Sequence, residues 1–389
     1  MIRIIHLKCK RIRARQYTLQ ASALLRQYIA WIEGRKNNNT SMPPILYGDL
    51  FLSMCESKTI WWDSGLWLID QTRLPAELMP LHIKSVRQLI EAIKTLRVRG
   101  APALGAAGAY GVALAAELSR ASNALEMMAE LEMAADMIKA SRPTAVNLSW
   151  GVDRAMRVAF AQESAEDIRR AALCEAEEIA LEDLRINKLL GKNGAKLLDD
   201  GDNVLTHCNA GRLACVGWGT ALGVIRSAVA AGKHIHVYAC ETRPLLQGSR
   251  LTAWELAQDK IPVTLICDSM SGSLMRKGKI DKVIVGADRI TRDAVFNKIG
   301  TYSHAVLAKY HKIPFYVAAP LSTFDRLHEE IEITVEERDS EEICSLAGTR
   351  LAPQGIEVYN PAFDATPLEL VSGLITEKGV FRPPLMPMV

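Results

Sequence analysis

This 389-residue chain lacks the short motifs that announce a cofactor. No Gly-x-Gly-x-x-Gly follows a strand-like run and no Gly-x4-Gly-Lys-Ser/Thr occurs, which disfavours a dinucleotide or a P-loop nucleotide. The eight histidines form no His-Glu-x-x-His. His234 and His236 share one strand face without a ligand partner nearby in sequence, so no metal is expected. The eight cysteines include no Cys-x-x-Cys and no regular framework; several sit in apolar patterns, as reduced thiols of a cytoplasmic protein do. No apolar run reaches the roughly 18 residues of a membrane span, so no membrane partner is expected.

Charge is unevenly placed. Residues 1–42 hold nine Lys/Arg against Glu33 alone, and without them the 47 basic and 44 acidic side chains become 38 and 43. The body is therefore acidic and carries no general nucleic-acid footprint. The basic leader admits three readings: a transit-type segment, a partner or nucleic-acid arm, or an extension upstream of a start at Met42. The last is preferred, and residues 1–42 stand outside the fold expected here.

Two domains are expected beyond the leader, at 43–195 and 196–389. In the first, residues 57–75 alternate around Gly65 as a hairpin. From Ser85 to about Leu190 the pattern is mostly helical: SVRQLIEAIKTLRVRG stops at Gly100, and the next helix opens with Pro102 in its first turn. Gly105, Gly108 and Gly111 give that helix a stripe for close packing. Further helices are expected at 122–140 and 164–190, separated by SRPTAVNLSWG. From Gly201 the period changes: β-rich runs at 203–207, 234–239, 262–267, 282–286 and 314–318 alternate with helical segments at about 212–231, 249–260 and 300–312. This predicts a Rossmann-like, doubly wound parallel sheet behind a mainly helical domain with a small strand unit: an α/β fold with a cleft between its parts. The tail FRPPLMPMV reads as an extended arm.

In a parallel sheet the strand ends share one edge, and ligands bind beyond it. Three runs end there on polar or reactive residues, at Cys208, Asp268 and Asp288. Cys208 is read as lying at a strand-to-helix turn, where a helix dipole would lower its pKa. Cys215 is placed inside the following helix, as a structural thiol. Asp288, at the mouth of an apolar cleft, is read as a general acid whose pKa desolvation raises; the rival is a cap of the next helix or a pair with Arg289. Asp268 reads as a helix N-cap. Arg99-Gly100-Ala101, Arg142, and Asn297-Lys298 each stand near a helix start or an inter-helix loop, and together suit an anion smaller than a nucleotide, such as a sugar phosphate. The loop from Glu241 through Arg243, Gln247 and Arg250 follows a strand at the same edge, and reads as a binding loop or a structural Arg–Glu pair.

Taken together, the chain resembles the methylthioribose-1-phosphate isomerases from about Lys58 to Pro367. The resemblance rests on LIDQTRLP, TLRVRGAPALG, SRPTAVNLSW, THCNAG, GTALGVIR, ETRPLLQGSRLTAWEL, VGADRI, NKIGTY and NPAFDATP in that order. It implies a homodimer without a cofactor and an aldose–ketose isomerisation, an intramolecular oxidoreduction, in methionine salvage. Cys208 and Asp288, the latter as proton donor, take the catalytic positions. Arg99, Gly100, Ala101, Arg142, Gln247, Asn297 and Lys298 take the substrate positions. Two departures stand out: RITRDAVF (289–296) is about one residue short, and Arg212 replaces a small residue; both are expected near the pocket. Related functions are 5-deoxyribose-1-phosphate isomerase and ribose-1,5-bisphosphate isomerase. A rival of another class is a regulatory subunit of the translation-initiation exchange factor, a non-catalytic interaction protein.

Overall fold

The computed structural model describes residues 58–346 and 348–383. The basic leader and the last six residues of the tail lie outside the described residues, as do Cys9 and Cys55. The hairpin around Gly65 is present: β1 (Ile60–Trp62) pairs antiparallel with β2 (Leu66–Ile69), and β3 (Pro80–Ile83) extends the ribbon. Ile60, Leu66, Leu68 and Ile83 point inward and are fully buried in one core with the helices that follow.

Helix α1 (Val86–Lys94) starts where the Ser85 side chain accepts the Gln88 N–H. It ends at Thr95, well before the expected stop at Gly100. Leu96 adopts a positive φ of 61°, and the chain then bends, carrying Arg97 onto Asp70. Four helices complete this part: α2 (Ala101–Leu118), α3 (Ala124–Ala140), α4 (Val146–Phe160) and α5 (Ala165–Gly194). Asn123 and Ser164 cap α3 and α5 by accepting the Glu126 and Asp167 N–H groups. By length and composition α2 could cross a membrane, yet 72% of it is buried among its neighbours. Its glycines do pack closely: a Cβ at Gly108 would lie 2.5 Å from the Leu148 carbonyl oxygen.

Helix α4 departs from expectation, because Pro143 and Gly151 read as a break in the chain. The helix begins after the proline. Gly151 lies inside it as a contact point, since a Cβ there would lie 1.9 Å from the Gly105 oxygen on α2.

The second part alternates as expected through β4 (Asn203–Thr206), α6 (Ala221–Ala230), β5 (His236–Cys240), α7 (Ala253–Gln258), β6 (Val263–Ile266), α8 (Ser271–Arg276) and β7 (Lys282–Val285). The rule then breaks. A hairpin, β8 (Arg289–Ile290) and β9 (Ala294–Lys298), follows β7 where a helix was expected. Helix α9 (Thr301–Tyr310) and β10 (Phe315–Ala318) come next. A long irregular stretch holding the ribbon β11 (Ser345–Leu346) and β12 (Thr349–Arg350) leads to β13 (Phe363–Pro367), β14 (Gly373–Thr376) and β15 (Gly379–Phe381). The main sheet runs β6-β5-β4-β7-β10-β14-β15, all parallel except β15. Both faces are covered, as a doubly wound sheet requires: Leu205, Val283, Val285 and Val317 enter one core, and Val204, Ile284 and Ala318 the other. A smaller antiparallel sheet, β13-β9-β8, stands beside its carboxyl edge.

Candidate active site

At the centre of the sheet β4 and β7 are neighbours, and their connections leave toward opposite sides. That reversal opens a crevice beyond their carboxyl ends. His207 to Ala210 follow β4 and Gly286 to Asp288 follow β7, so Cys208 and Asp288 face one hollow. Its empty volume is about 750 Å³, counting the solvent at its mouth.

The surroundings of Cys208 differ from expectation. Helix α6 begins only at Ala221; Arg212–Ala214 is a single tight turn, and Cys215 follows it in a loop. No helix dipole acts on the sulfur. Burial pushes the Cys208 thiol above its ordinary value, against the pull of Arg99, Lys298 and the Asn209 N–H.

The backbone of Cys208 is left-handed, at φ 63°, a region unfavourable for any residue but glycine. It is clamped from both sides. Its N–H donates to Thr242 Oγ1 at 2.8 Å, and its carbonyl accepts from Thr252 Oγ1 at 2.6 Å. Both threonines are fully buried. Thr242 is held in turn by Asp268, whose two oxygens accept the Thr242 and Arg243 N–H groups, each at 2.8 Å. Asp268 therefore fixes the loop after β5 and does not cap its own helix.

Beneath this loop lies Glu255, fully buried on α7. It accepts from Asn209 Nδ2 at 3.0 Å, from the Arg212 and Leu213 N–H groups at 2.8 and 3.1 Å, and from Arg226 at 2.6 Å. Burial opposes its ionisation, but Arg226, Arg212 and Asn209 outweigh burial and hold it below the ordinary range. Arg212, expected near the pocket, turns instead to Asp259 and Glu255 and does not line the hollow.

Asp288 is held by its backbone N–H, which donates to the Phe296 carbonyl at 2.9 Å. Its carboxyl makes no hydrogen bond among the described residues, and Arg289 pairs with Asp325 instead. Burial raises the Asp288 pKa, while Lys298, Arg142 and Arg99 pull it down. The net shift is upward, as a group holding a proton toward neutrality requires.

The other expected residues line the same hollow. Arg99 donates from Nε to Gln71 Oε1 at 3.1 Å and from Nη1 to the Asn209 carbonyl at 2.9 Å, and also reaches Asn209 Oδ1. Gly100 has φ 100°, and a Cβ there would lie 2.5 Å from the Ala214 Cα, so only glycine lets Arg99 and Ala101 lie against the loop after β4. Lys298 Nζ donates to the Ala362 carbonyl at 2.8 Å, above the Phe363 ring, and burial lowers its pKa. Asn297 Nδ2 donates to Thr301 Oγ1 at 2.9 Å. Gln247 Oε1 and Arg142 Nε are buried with no hydrogen-bond partner among the described residues.

Behind the hollow, His207 Nε2 meets the Ile299 carbonyl at 2.8 Å and His207 Nδ1 meets His304 Nε2 at 3.2 Å. His304 Nδ1 meets Ser271 Oγ at 3.0 Å. With Cys240 these rings place three possible metal ligands within 4.8 Å of one another. Every ring nitrogen already has a hydrogen-bond partner, however, and burial lowers the two imidazoles to about 4 and about 3, keeping them neutral. The cluster is a hydrogen-bond chain bracing the turn before α9.

Sequence reasoning missed Arg338, which lines the hollow, and its partner Glu336, both inside a charge run that resembles solvated surface. It also missed Gln71, Thr242, Thr252 and Glu255. Their common signal, polar residues within apolar motifs, was present but carried no address.

Residues 97–383 match the model of the initiation factor 2 subunit family. A methylthioribose-1-phosphate isomerase from Pelotomaculum thermopropionicum is 53% identical over 332 residues, 83% of this chain and 90% of the relative. A solved structure of 5-methylthioribose 1-phosphate isomerase from Pyrococcus horikoshii is 43% identical, with a TM-score of 0.80 over 84% of this chain and 93% of that one. Another, from A. fulgidus and described as the delta subunit of translation initiation factor eIF-2B, is 58% identical, with a TM-score of 0.78 over 84% and 96%.

Proposed function

The chain belongs to the initiation factor 2 subunit family, in its methylthioribose-1-phosphate isomerase branch, and we propose that it converts 5-methylthioribose 1-phosphate to 5-methylthioribulose 1-phosphate. One observation carries this reading: a thiol and a carboxyl whose pKa burial raises open on a single hollow whose wall also presents polar atoms with no partner among the described residues. An interaction module has no use for that arrangement. The name borne by the A. fulgidus structure suits the second reading, an exchange-factor subunit, and the hollow favours the first.

The chemistry matches the residue types. A sugar phosphorylated on its anomeric oxygen cannot open to a free aldehyde and keep its phosphate. Asp288 gives a proton to the ring oxygen as the bond from C1 to that oxygen breaks. The C2 hydrogen then moves to C1 by one of two routes. In one, Cys208 as thiolate takes the C2 proton to leave an enediol phosphate, and C1 is then protonated as the C2 hydroxyl gives its proton to the Asp288 carboxylate. In the other, hydride passes from C2 to C1 while the C2 hydroxyl gives its proton to the Asp288 carboxylate. Burial outweighs the pull of Arg99 and Lys298 and the net shift of Cys208 is upward, while the two cations stand ready to stabilise negative charge beside it. No external oxidant enters either route. The product serves methionine salvage, and the working unit is a homodimer, to be checked by light scattering.

The test is direct. Purified protein is incubated with the 1-phosphates of 5-methylthioribose, 5-deoxyribose and ribose, and ketose is followed. Fastest turnover of the methylthio sugar is expected; no ketose from any of them sinks the reading. Run in deuterium oxide, label at C1 marks the proton route.

A further inference from the structure

Four cations line the hollow: Arg99, Arg142, Lys298 and Arg338. They are not equivalent. Arg99 and Lys298 hydrogen-bond only to neutral oxygens, of Gln71, Asn209 and Ala362, and neither makes an ion pair among the described residues. Arg142 and Arg338 are already answered. Glu336 Oε2 takes Arg142 Nη2 at 3.2 Å, and Glu336 Oε1 takes Arg338 Nη1 at 2.8 Å. Glu342 takes Nε and Nη2 of the same Arg338 at 2.8 and 2.6 Å.

These pairs are sheltered. The Glu336 and Glu342 side chains are only 19% and 14% exposed, so salt screens them weakly. Thr144 Oγ1 adds a bond to Glu336 at 3.2 Å. The Glu336 carbonyl accepts the Ala362 N–H at 2.8 Å, tying the segment to the residue that holds Lys298. Two carboxylates, Glu336 and Glu342, set against four cations leave an excess of two cations, Arg99 and Lys298. A phosphate monoester carries about −1.5 to −2, so one phosphate balances that excess. A second would meet no free cation, because Arg142 and Arg338 are already paired with Glu336.

We propose that Glu336 determines specificity by ligand charge: in neutralising Arg142 and sharing Arg338 with Glu342, it fits the hollow to a sugar bearing one phosphate and turns away a sugar bearing two. This rests on the sugar-phosphate reading above and narrows it. Arg142 then offers its unpartnered Nε to a neutral sugar oxygen.

The experiment compares kcat/KM for 5-methylthioribose 1-phosphate and ribose 1,5-bisphosphate in wild type, Glu336→Gln and Glu342→Gln, at low and high salt. Removing the carboxylate that neutralises Arg142 should raise the bisphosphate-to-monophosphate ratio about tenfold in Glu336→Gln, with the gain largely kept at high salt because the pairs are sheltered. Glu342→Gln, which lies behind Arg338, should raise it about threefold, and carries the test if Glu336→Gln does not fold. An unchanged ratio in the folded variants overturns the proposal. Calorimetric Kd values for the two sugars read the same ratio without turnover. A shifted Kd ratio in a protein that forms no ketose would sink the isomerase reading and leave the charge inference standing.

Discussion

The two sides of the crevice are held in opposite ways. After β4, the position of Cys208 is fixed by backbone: a left-handed residue clamped by two buried threonines, over a loop pinned to buried Glu255. After β7, the Asp288 carboxyl has no hydrogen-bond partner among the described residues, and its state is set by burial and surrounding charge. One side is built for position and the other for protonation. That division suits a reaction in which one group must meet a carbon-bound hydrogen at a fixed angle while the other needs only to hold and release a proton.

The sharpest break of the comparison is Asp288→Asn. Loss of the acid should lower kcat by about a thousandfold with KM nearly unchanged, read in the ketose assay. The wild-type rate should fall as pH climbs through the raised Asp288 pKa, because the donor is then deprotonated. Near-native turnover in the variant would end the role given to this carboxyl. Cys208→Ser comes next, with an expected loss of about a hundredfold at unchanged fold, since a hydroxyl is a far weaker base than a thiolate.

Thr242→Val tests the positional side alone. It strands the buried Cys208 N–H, which should cost roughly 1–3 kcal/mol in denaturant unfolding. kcat should fall by about tenfold through the misplaced thiol. If kcat is unmoved, the clamp is structural only.

The smallest effect lies behind the site, at Asp183 on α5, which accepts the Val216 N–H at 2.8 Å and the Asn187 amide at 2.9 Å. Burial raises its pKa from 3.8 to about 7. The folded state therefore holds a proton that the unfolded chain has already released. Its contribution to stability is complete below the unfolded value and fades as pH rises to about 7. The Tm of wild type relative to Asp183→Asn should drop between pH about 5 and about 8; a constant difference would contradict the shift.

What could be read in advance follows from where the physics is local. Strands ending on Cys208 and Asp288 were legible because apolar period-two runs closing on a polar residue are a short-range signal. Helix α6 was placed too early because Leu213, Ala214, Cys215 and Val216 form an apolar run in a buried loop, which has the composition of a helix without its hydrogen bonds. Helix α4 was hidden by Gly151, whose missing Cβ serves a neighbour distant in sequence. Glu336 and Arg338 were unreadable because their meaning is a pairing with Arg142, far away along the chain.

The hairpin after β7 bears on how such proteins diverge. Asp288 and Lys298 stand at its two feet, and the pairing of Arg289 with Phe296 and of Ile290 with Val295 keeps them in step. The tip lies around Arg292 and Asp293, where the Ala294 N–H donates to Thr291 Oγ1 at 3.1 Å and closes the bend. A residue gained or lost at that tip would be a silent edit, with the Asp288 carboxyl and the Lys298 ammonium group unmoved.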